Sequence, residues 1–398
     1  MDRIERLQTV IVGGGQAGLA TAHELALRGV DLLVLEAESR VGDQWRRRWE
    51  SLKLFTPARY DALPGSSFPA HPATFPGKDA MADYLEAYAQ NGALPVRTGT
   101  RALKLSRTDR SYVLETTTGA VHADHVVIAT GYDSPKVPAF ASEIEPAITQ
   151  LHARDYRNPL QLTGDVLVVG AGTSGVEIAI EAARAGHPTV LAGRGTGAIP
   201  SIFYAFGGRV FWFYANRIAS IRTPMGRRMK PLILTHGAPL IRVKMRDAVD
   251  AGVVRERRVI GVEGGFPVCE GGRRLQPATI VWCTGFHRDY SWIQFPVAGA
   301  DGYPRHTDGV ADGEPGLYFV GLPFQTRLAS GLIGGVGEDA RAVAETIIRR
   351  IRERSYQLPP PPPPPPPPEK PPPPSAPLPL GEGWVRSYSW PSRDQHSP

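Results

Sequence analysis

Short, wholly apolar runs alternate with longer amphipathic stretches along this chain, and the alternation starts over once. Thr9 to Val12 is an apolar run that stops at Gly13-Gly14-Gly15-Gln16-Ala17-Gly18. From Leu19 to Arg28 the apolar positions recur at helical spacing, Gly29 breaks the helix, and Asp31 to Leu35 is apolar again, ending at Glu36. The order strand, glycine turn, helix, strand describes a βαβ unit. Residues Trp45 to Pro76 are irregular and rich in proline and aromatics, and Met81 to Gln90 has helical spacing. Between Pro95 and His122 short alternating segments such as Tyr112 to Thr116 predict strands. Val126-Val127-Ile128-Ala129 then predicts a buried strand closing on Thr130-Gly131.

The pattern restarts at Asp165 to Val169, with the turn Gly170-Ala171-Gly172-Thr173-Ser174-Gly175, a helix over Val176 to Ala185, and a strand over Pro188 to Ala192 that ends in Gly193-Arg194. Thr279 to Cys283, closing on Thr284-Gly285, echoes the earlier strand before Thr130-Gly131. Leu317 to Val320, closing on Gly321, predicts a further strand, and Glu338 to Arg352 an amphipathic helix that completes the first domain. The expected fold class is α/β, with two Rossmann-like dinucleotide-binding domains, the second inserted into the first. Residues 1–149 and 287–355 form the outer domain, 150–286 the inserted one with a helical, aromatic insert at about 199–246, and 356–398 a proline-rich tail. That tail lacks the backbone donors and the apolar content to build a core, and reads as polyproline II or disordered.

Each glycine of the two fingerprints has a physical reason. Gly13 permits the tight turn, Gly15 lets the backbone approach a pyrophosphate, and Gly18 lets helix and strand pack closely, with Gln16 and Ala17 opening the helix. The pyrophosphate would meet the free N–H groups of the helix N-terminus. Glu36 lies at the end of the second strand, where a carboxylate accepts from a ribose 2′-hydroxyl; this suits FAD or NAD(H) and repels a 2′-phosphate. In the second fingerprint Gly170, Gly172, Thr173, Ser174 and Gly175 repeat the cradle, but the following strand ends in Arg194, which can pair bidentately with a 2′-phosphate and favours NADPH. The plainer alternative for Arg194 is a solvent-facing side chain.

Composition adds limits. The chain has 398 residues, 39 of them proline, two cysteines and a formal net charge of +6. That charge is mild for the length and reads as a solvated basic surface, not a nucleic-acid footprint. Cys269 and Cys283 form no CxxC pair, which argues against a disulfide reductase and fits a reducing, cytoplasmic setting. No apolar run reaches membrane-spanning length, and no signal peptide is expected.

The ordered set GGGQAG, Gly42-Asp43-Gln44-Trp45, Ala129-Thr130-Gly131, GAGTSG, Thr284-Gly285-Phe286 and the strand before Gly321 resembles the flavin-containing monooxygenases, most closely their bacterial and plant YUCCA-like branch, over roughly residues 8 to 350. The resemblance implies cofactor contacts from Gly42, Gln44, Trp45, Thr130, Gly131, Thr284, Gly285 and Gly321. It also implies that reduced FAD reacts with O2 at C4a to give a (hydro)peroxyflavin that oxygenates a small organic molecule while NADP⁺ stays bound. Two departures stand out. Of the family motif FxGxxxHxxx(F/Y), His152 and Tyr156 match while Pro146 and Ile148 replace Phe and Gly, so His152 reads equally as a packing residue at the domain junction. The active-site Asn of the animal enzymes has no counterpart near Phe55-Thr56-Pro57.

No catalytic acid or base is assigned, because the cofactor carries the chemistry. The insert, with Phe203, Tyr204, Phe206, Phe211, Trp212, Phe213 and Tyr214 followed by Arg217, Arg222, Arg227, Arg228 and Lys230, admits three readings. It is a helical subdomain packed on the NADPH domain, the mouth of a substrate channel, or a weak membrane-surface patch. Two functional alternatives stay open: an NADPH-dependent reductase or oxidase serving another acceptor, and a flavin-binding interaction protein whose proline tail docks a partner. Oligomeric state is left open.

Overall fold

In the computed structural model of the protein, described for residues 5–109, 111–131, 134–200, 207–236 and 239–357, the chain builds a mixed sheet with a parallel centre and, from a segment set within it, a second, parallel sheet. Strand β1 (Glu5–Val12) alternates over its first half and is buried throughout its second, the pattern of a strand that enters a sheet covered on both faces. Helix α1 (Gln16–Ala26) buries Ala17, Gly18, Ala20 and Ala22, small residues that let it lie close on the sheet, and Gly29, at φ +71°, turns the chain into β2 (Leu32–Leu35). Helix α2 (Lys78–Asn91) covers the same face through Met81, Leu85 and Tyr88, and β3 (Gly119–Ile128) lies parallel to β1 on its other side.

The chain then leaves for the second sheet. There β4 (Thr149–His152), β5 (Val166–Val169), helix α3 (Thr173–Arg184) and β6 (Thr189–Ala192) are followed by the insert, with α4 (Arg209–Phe213), α5 (Pro224–His236) and α6 (Met245–Asp250). Strands β7 (Val254–Glu256) and β8 (Thr279–Trp282) complete it in the order β7-β6-β5-β8-β4, all parallel. On its return the chain packs Ile293, Val297 and Tyr303 against Val10 and Ile128 of the first sheet. Strand β9 (Leu317–Phe319) pairs parallel with β3, and α7 (Val336–Gln357) lays Val343, Ala344 and Ile347 on the core shared with α1. The central order of the first sheet is thus β9-β3-β1-β2. The outgoing and returning segments are tied together: Ser134–Pro135 pairs antiparallel with Phe286–His287, and Lys136 N–H donates to Gly285 O at 3.0 Å.

Of the three readings of the insert, packing on the second half of the chain accounts for part of its contacts. Past α4 a π turn (Tyr214–Ile218) follows, and this region docks on the segment before α7. Phe211 and Ala215 bury against Ala329, Ile221 N–H donates to Thr326 O at 2.9 Å, and Leu328 N–H donates to Ala219 O at 2.8 Å. Helix α6 instead packs on α3, and near it Arg242 meets Glu177 at 2.6 Å. The insert therefore divides its contacts between the two halves. Phe203, Tyr204 and Phe206, like the proline tail from residue 358, lie outside the described residues. No described helix is long and apolar enough to cross a membrane.

Candidate functional site

The first site is shaped by what its glycines exclude. Gly13 sits at φ +110°, and a Cβ there would stand 2.5 Å from the Ala129 carbonyl oxygen at the end of β3. A Cβ on Gly18 would stand 1.8 Å from the Gly13 carbonyl oxygen, so α1 could not approach β1 as it does. Gly15 is the opposite case: nothing lies within 4 Å of its Cβ position, and no side chain caps the helix that starts there. The amides of the first helical turn therefore face open space, as an anion site at a helix N-terminus requires. That space is a cavity of about 540 Å³ lined by Gly13, Gly15, Gln16, Ala17, Glu36, Gln44, Thr130, Gly131 and Gly321 from the sequence-derived set.

Glu36 is held at the rim by the N–H groups of Gly14 (2.7 Å) and Glu38 (2.9 Å). Burial raises its pKa and these two bonds partly offset the shift. A carboxylate has about four lone-pair positions, so acceptor capacity remains for hydroxyls. Gly18, Gly42 and Trp45 do not line the cavity. Gly42 is a packing glycine at φ +87°, with a Cβ position 2.6 Å from the Ala82 carbonyl oxygen, and Trp45 packs on the core margin.

Several lining residues carry no local sequence signal. Arg101, Ala102 and Leu103 enter with the strand Ala102–Arg107, and His287, Asp289 and Trp292 enter where the chain returns from the second sheet. Arg154 lines the cavity from two residues past His152. Arg47, three residues after Gln44, closes the rim through an ion pair with Glu38 at 2.5 Å.

The second fingerprint repeats the same steric logic. Gly170, at φ +112°, would put a Cβ 2.2 Å from the Cys283 carbonyl oxygen, and Gly175 would put one 1.8 Å from the Gly170 carbonyl oxygen. Gly172 again has nothing within 4 Å, and α3 starts there uncapped, with half-buried Thr173 and Ser174 in its first turn. Arg194 is exposed past the end of β6. A residue missed in the sequence, Arg255 of β7, donates to Leu191 O at 3.0 Å and Gly193 O at 2.8 Å, fixing the turn that presents Arg194. None of these second-site residues lines the 540 Å³ cavity.

Thr284 and Gly285 sit in the crossing ribbon, where the Thr284 hydroxyl donates to Lys136 O. His152 Nδ1 accepts the Arg154 N–H at 3.1 Å, so its Nε2 carries the proton donated to Gly285 O at 3.0 Å. Burial holds this imidazole below its usual pKa, which favours its neutral form. His152 therefore locks the crossing, and Tyr156, fully buried, donates to Glu181 at 3.0 Å beneath it. Both cysteines are free, and burial pushes the Cys269 thiol up to about 11 and Cys283 up to about 12, far from nucleophilic thiolates.

With this geometry in view, the relatives fall into place. A profile of the pyridine nucleotide-disulphide oxidoreductase family matches residues 10–201. An uncharacterized CzcO-like oxidoreductase of Geobacillus kaustophilus is 34% identical, the match covering 86% of this chain and 98% of the relative. Indole-3-pyruvate monooxygenase YUCCA1 of Oryza sativa subsp. japonica is 30% identical over 87% of this chain and 92% of its own length. The fold is shared with a flavin-containing monooxygenase from Stenotrophomonas maltophilia, with a TM-score of 0.72 at 23% identity over 87% of this chain and 100% of that one. This chain is a flavin-dependent oxidoreductase and belongs to the flavin-containing monooxygenase superfamily.

Proposed function

We propose that the protein is an NADPH-dependent FAD monooxygenase that places one oxygen atom from O2 in a small organic substrate. The observation that carries this reading is the pair of open helix N-termini, at Gly15 and Gly172, whose neighbouring strands end in opposite chemistry. Glu36 closes the first and Arg194 the second. On this reading 1–149 and 287–355 form the FAD domain and 150–286 the NADPH domain. Gly13, Gly15, Gln16 and Ala17 would hold the FAD pyrophosphate and Glu36 a ribose. Gly170, Gly172, Thr173 and Ser174 would hold NADPH, with Arg194 on the 2′-phosphate. The flavin, reduced by the nicotinamide, supplies the oxygen-activating chemistry. The chain's own residues bind and orient. His152 and the Thr284 hydroxyl hold the crossing ribbon, and Glu36 discriminates against a phosphate at the first site.

Oxygen accounting tests the reading. With a turned-over substrate, NADPH oxidation should consume an equal amount of O2 and release little peroxide. Peroxide equal to the oxygen consumed, across a panel of ketones, 2-oxo acids, amines and sulfides, would move the assignment to an oxidase or reductase.

The nicotinamide assignment has its own test. Arg194 has no ion-pair partner among the described residues, so Arg194→Ala removes nothing internal. Losing one charged contact with phosphate should raise KM for NADPH about tenfold and leave KM for NADH unchanged. Steady-state kinetics with both coenzymes would show it, and an equal change for both would sink the 2′-phosphate role.

A further inference from the structure

The insert concentrates charge in a way that the whole-chain total conceals. Residues 199–246 contain nine Lys and Arg and not one Asp or Glu, so the formal net charge of +6 leaves −3 for the other 350 residues. Three of the nine are engaged within the protein: Arg242 pairs with Glu177 at 2.6 Å, Arg246 with Asp247 at 3.7 Å, and Lys230 lies 4.6 Å over the Tyr303 ring. Five others, Arg209, Arg217, Arg222, Arg227 and Arg228, are exposed. Of these, Arg222 has a carboxylate at 4.0 Å, that of Asp308, while Arg209, Arg217 and Arg228 have no ion-pair partner among the described residues.

The helices that carry these arginines are held by inner faces that are already covered, and their outer faces mix charge with apolar surface. On α4 and its π turn the inner face is Phe211, Ala215 and Ala219, all buried. The opposite face carries Arg209, Val210, Phe213 and Arg217, spaced i, i+1, i+4, i+8 and all exposed, Phe213 by 61%. Helix α5 is anchored through Gly226, where a Cβ would stand 2.0 Å from the Ser220 carbonyl oxygen, and through Leu234, which packs on the core of the first sheet. Its outward stripe is Met225, Arg228 and Leu232, spaced i, i+3, i+7, with Leu232 58% exposed. The Tyr214 hydroxyl donates to the Met229 sulfur at 3.0 Å, which sets the two helices side by side.

We propose that the outward faces of α4 and α5 dock on an anionic lipid bilayer, the arginines meeting lipid phosphates while Val210, Phe213, Met225 and Leu232 enter the boundary between headgroups and acyl chains. Guanidinium forks match phosphate oxygens, and apolar side chains set among them gain only where a dry layer lies just behind the charge. A nucleic-acid backbone would use the arginines and leave the aliphatic side chains in water. A second copy meeting this face isologously would set arginine against arginine. The inference stands apart from the cofactor assignments, since it uses none of their residues.

Co-sedimentation of the purified holoenzyme with vesicles of phosphatidylcholine alone, and of phosphatidylcholine with about one-third phosphatidylglycerol, tests it. The expected result is saturable binding to the anionic vesicles at about 50 mM salt, at least about tenfold tighter than to the neutral ones, and weakening as salt is raised. At about fivefold per arginine, R209Q/R217Q/R228Q should weaken binding by about a hundredfold. Removing the apolar contacts in F213S/L232S should weaken it by at least about tenfold. All five positions are exposed, so both variants should fold, and an unchanged flavin spectrum and thermal midpoint would confirm it. No binding to anionic vesicles at low salt, equal binding to neutral ones, or binding indifferent to the arginine variant would overturn the proposal. Binding that needs the arginines but is unchanged in F213S/L232S would be attraction to any polyanion and would also overturn it; retention on duplex DNA at the same salt would then assign the face to nucleic acid.

Discussion

Gly18→Ala is expected to yield a protein that is less stable and low in flavin, while Gly15→Ala yields one of ordinary stability that is equally low in flavin. The two substitutions add the same methyl group one helical turn apart. At Gly18 it would meet the Gly13 carbonyl oxygen at 1.8 Å, a backbone atom in the turn that shapes the cavity. Helix α1 must then move off β1 by more than an ångström, which costs about 3 kcal/mol or more of packing. At Gly15 the backbone is extended, at φ −79° and ψ −174°, a conformation alanine adopts freely, and the methyl group meets nothing. It occupies only the space through which a pyrophosphate would reach the helix amides. Thermal unfolding of flavin-stripped samples, together with flavin-to-protein ratios after purification, separates the two effects. Wild-type unfolding of the Gly18→Ala apoprotein would show that the helix–strand approach is not what this glycine provides. Full flavin content in Gly15→Ala would remove the pyrophosphate from the Gly15 turn.

That contrast shows why the two cradles could be read in the sequence. A GxGxxG turn between a strand and a helix is a statement about backbone sterics, and backbone sterics are local. Glu36 and Arg194 were readable for the same reason, because each ends a strand whose start and length the glycines fix. The insert was another matter. Its stripe from Arg209 to Arg217 says which helix face is sticky, yet nothing local says that Phe211 and Ala215 bury against Ala329, more than a hundred residues away in the chain. Arg255 escaped notice because Val254–Glu256 is too short to show a period, and its donors serve carbonyls of a strand more than sixty residues earlier. Trp292 and Asp289 reach the cavity through the returning crossing, a topological fact with no motif. For His152 the sequence left a family-motif residue and a packing residue at the domain junction equally open, and the bonds to Gly285 O and from Arg154 N–H are those of a residue that ties the crossing together.

Asp61→Asn is expected to stabilise the protein at pH 8 by up to roughly 4 kcal/mol, by less than about 2 kcal/mol at pH 5, and little below pH 4. Asp61 reads in sequence as a loop acid in a proline-rich stretch, but it is fully buried. One carboxyl oxygen accepts from the Thr56 hydroxyl, and the other, Oδ2, is buried with no partner. Burial raises its pKa from 3.8 to about 7, with the Thr56 bond only partly opposing. Between those two values the folded chain binds this proton and the unfolded chain does not. Stability therefore falls as pH rises through the window, by about 1.4 kcal/mol per unit, and levels off above the folded value. The protonated acid loses nothing from this site; the ionised form strands a charge among apolar neighbours. An amide has the shape of the protonated acid, still accepts from Thr56, and has no charge to strand. Urea midpoints at pH 5, 6, 7 and 8 should fall for the wild type and stay flat for Asp61→Asn, the gap being smallest at pH 5 and closing only below pH 4. Midpoints are the right readout because a chain with two sheets and bound cofactors need not unfold in one step. Parallel curves across that range would mean that Asp61 ionises in the folded protein as easily as in the unfolded one. The orphaned Oδ2 would then have to be solvated by water reaching it from outside the core.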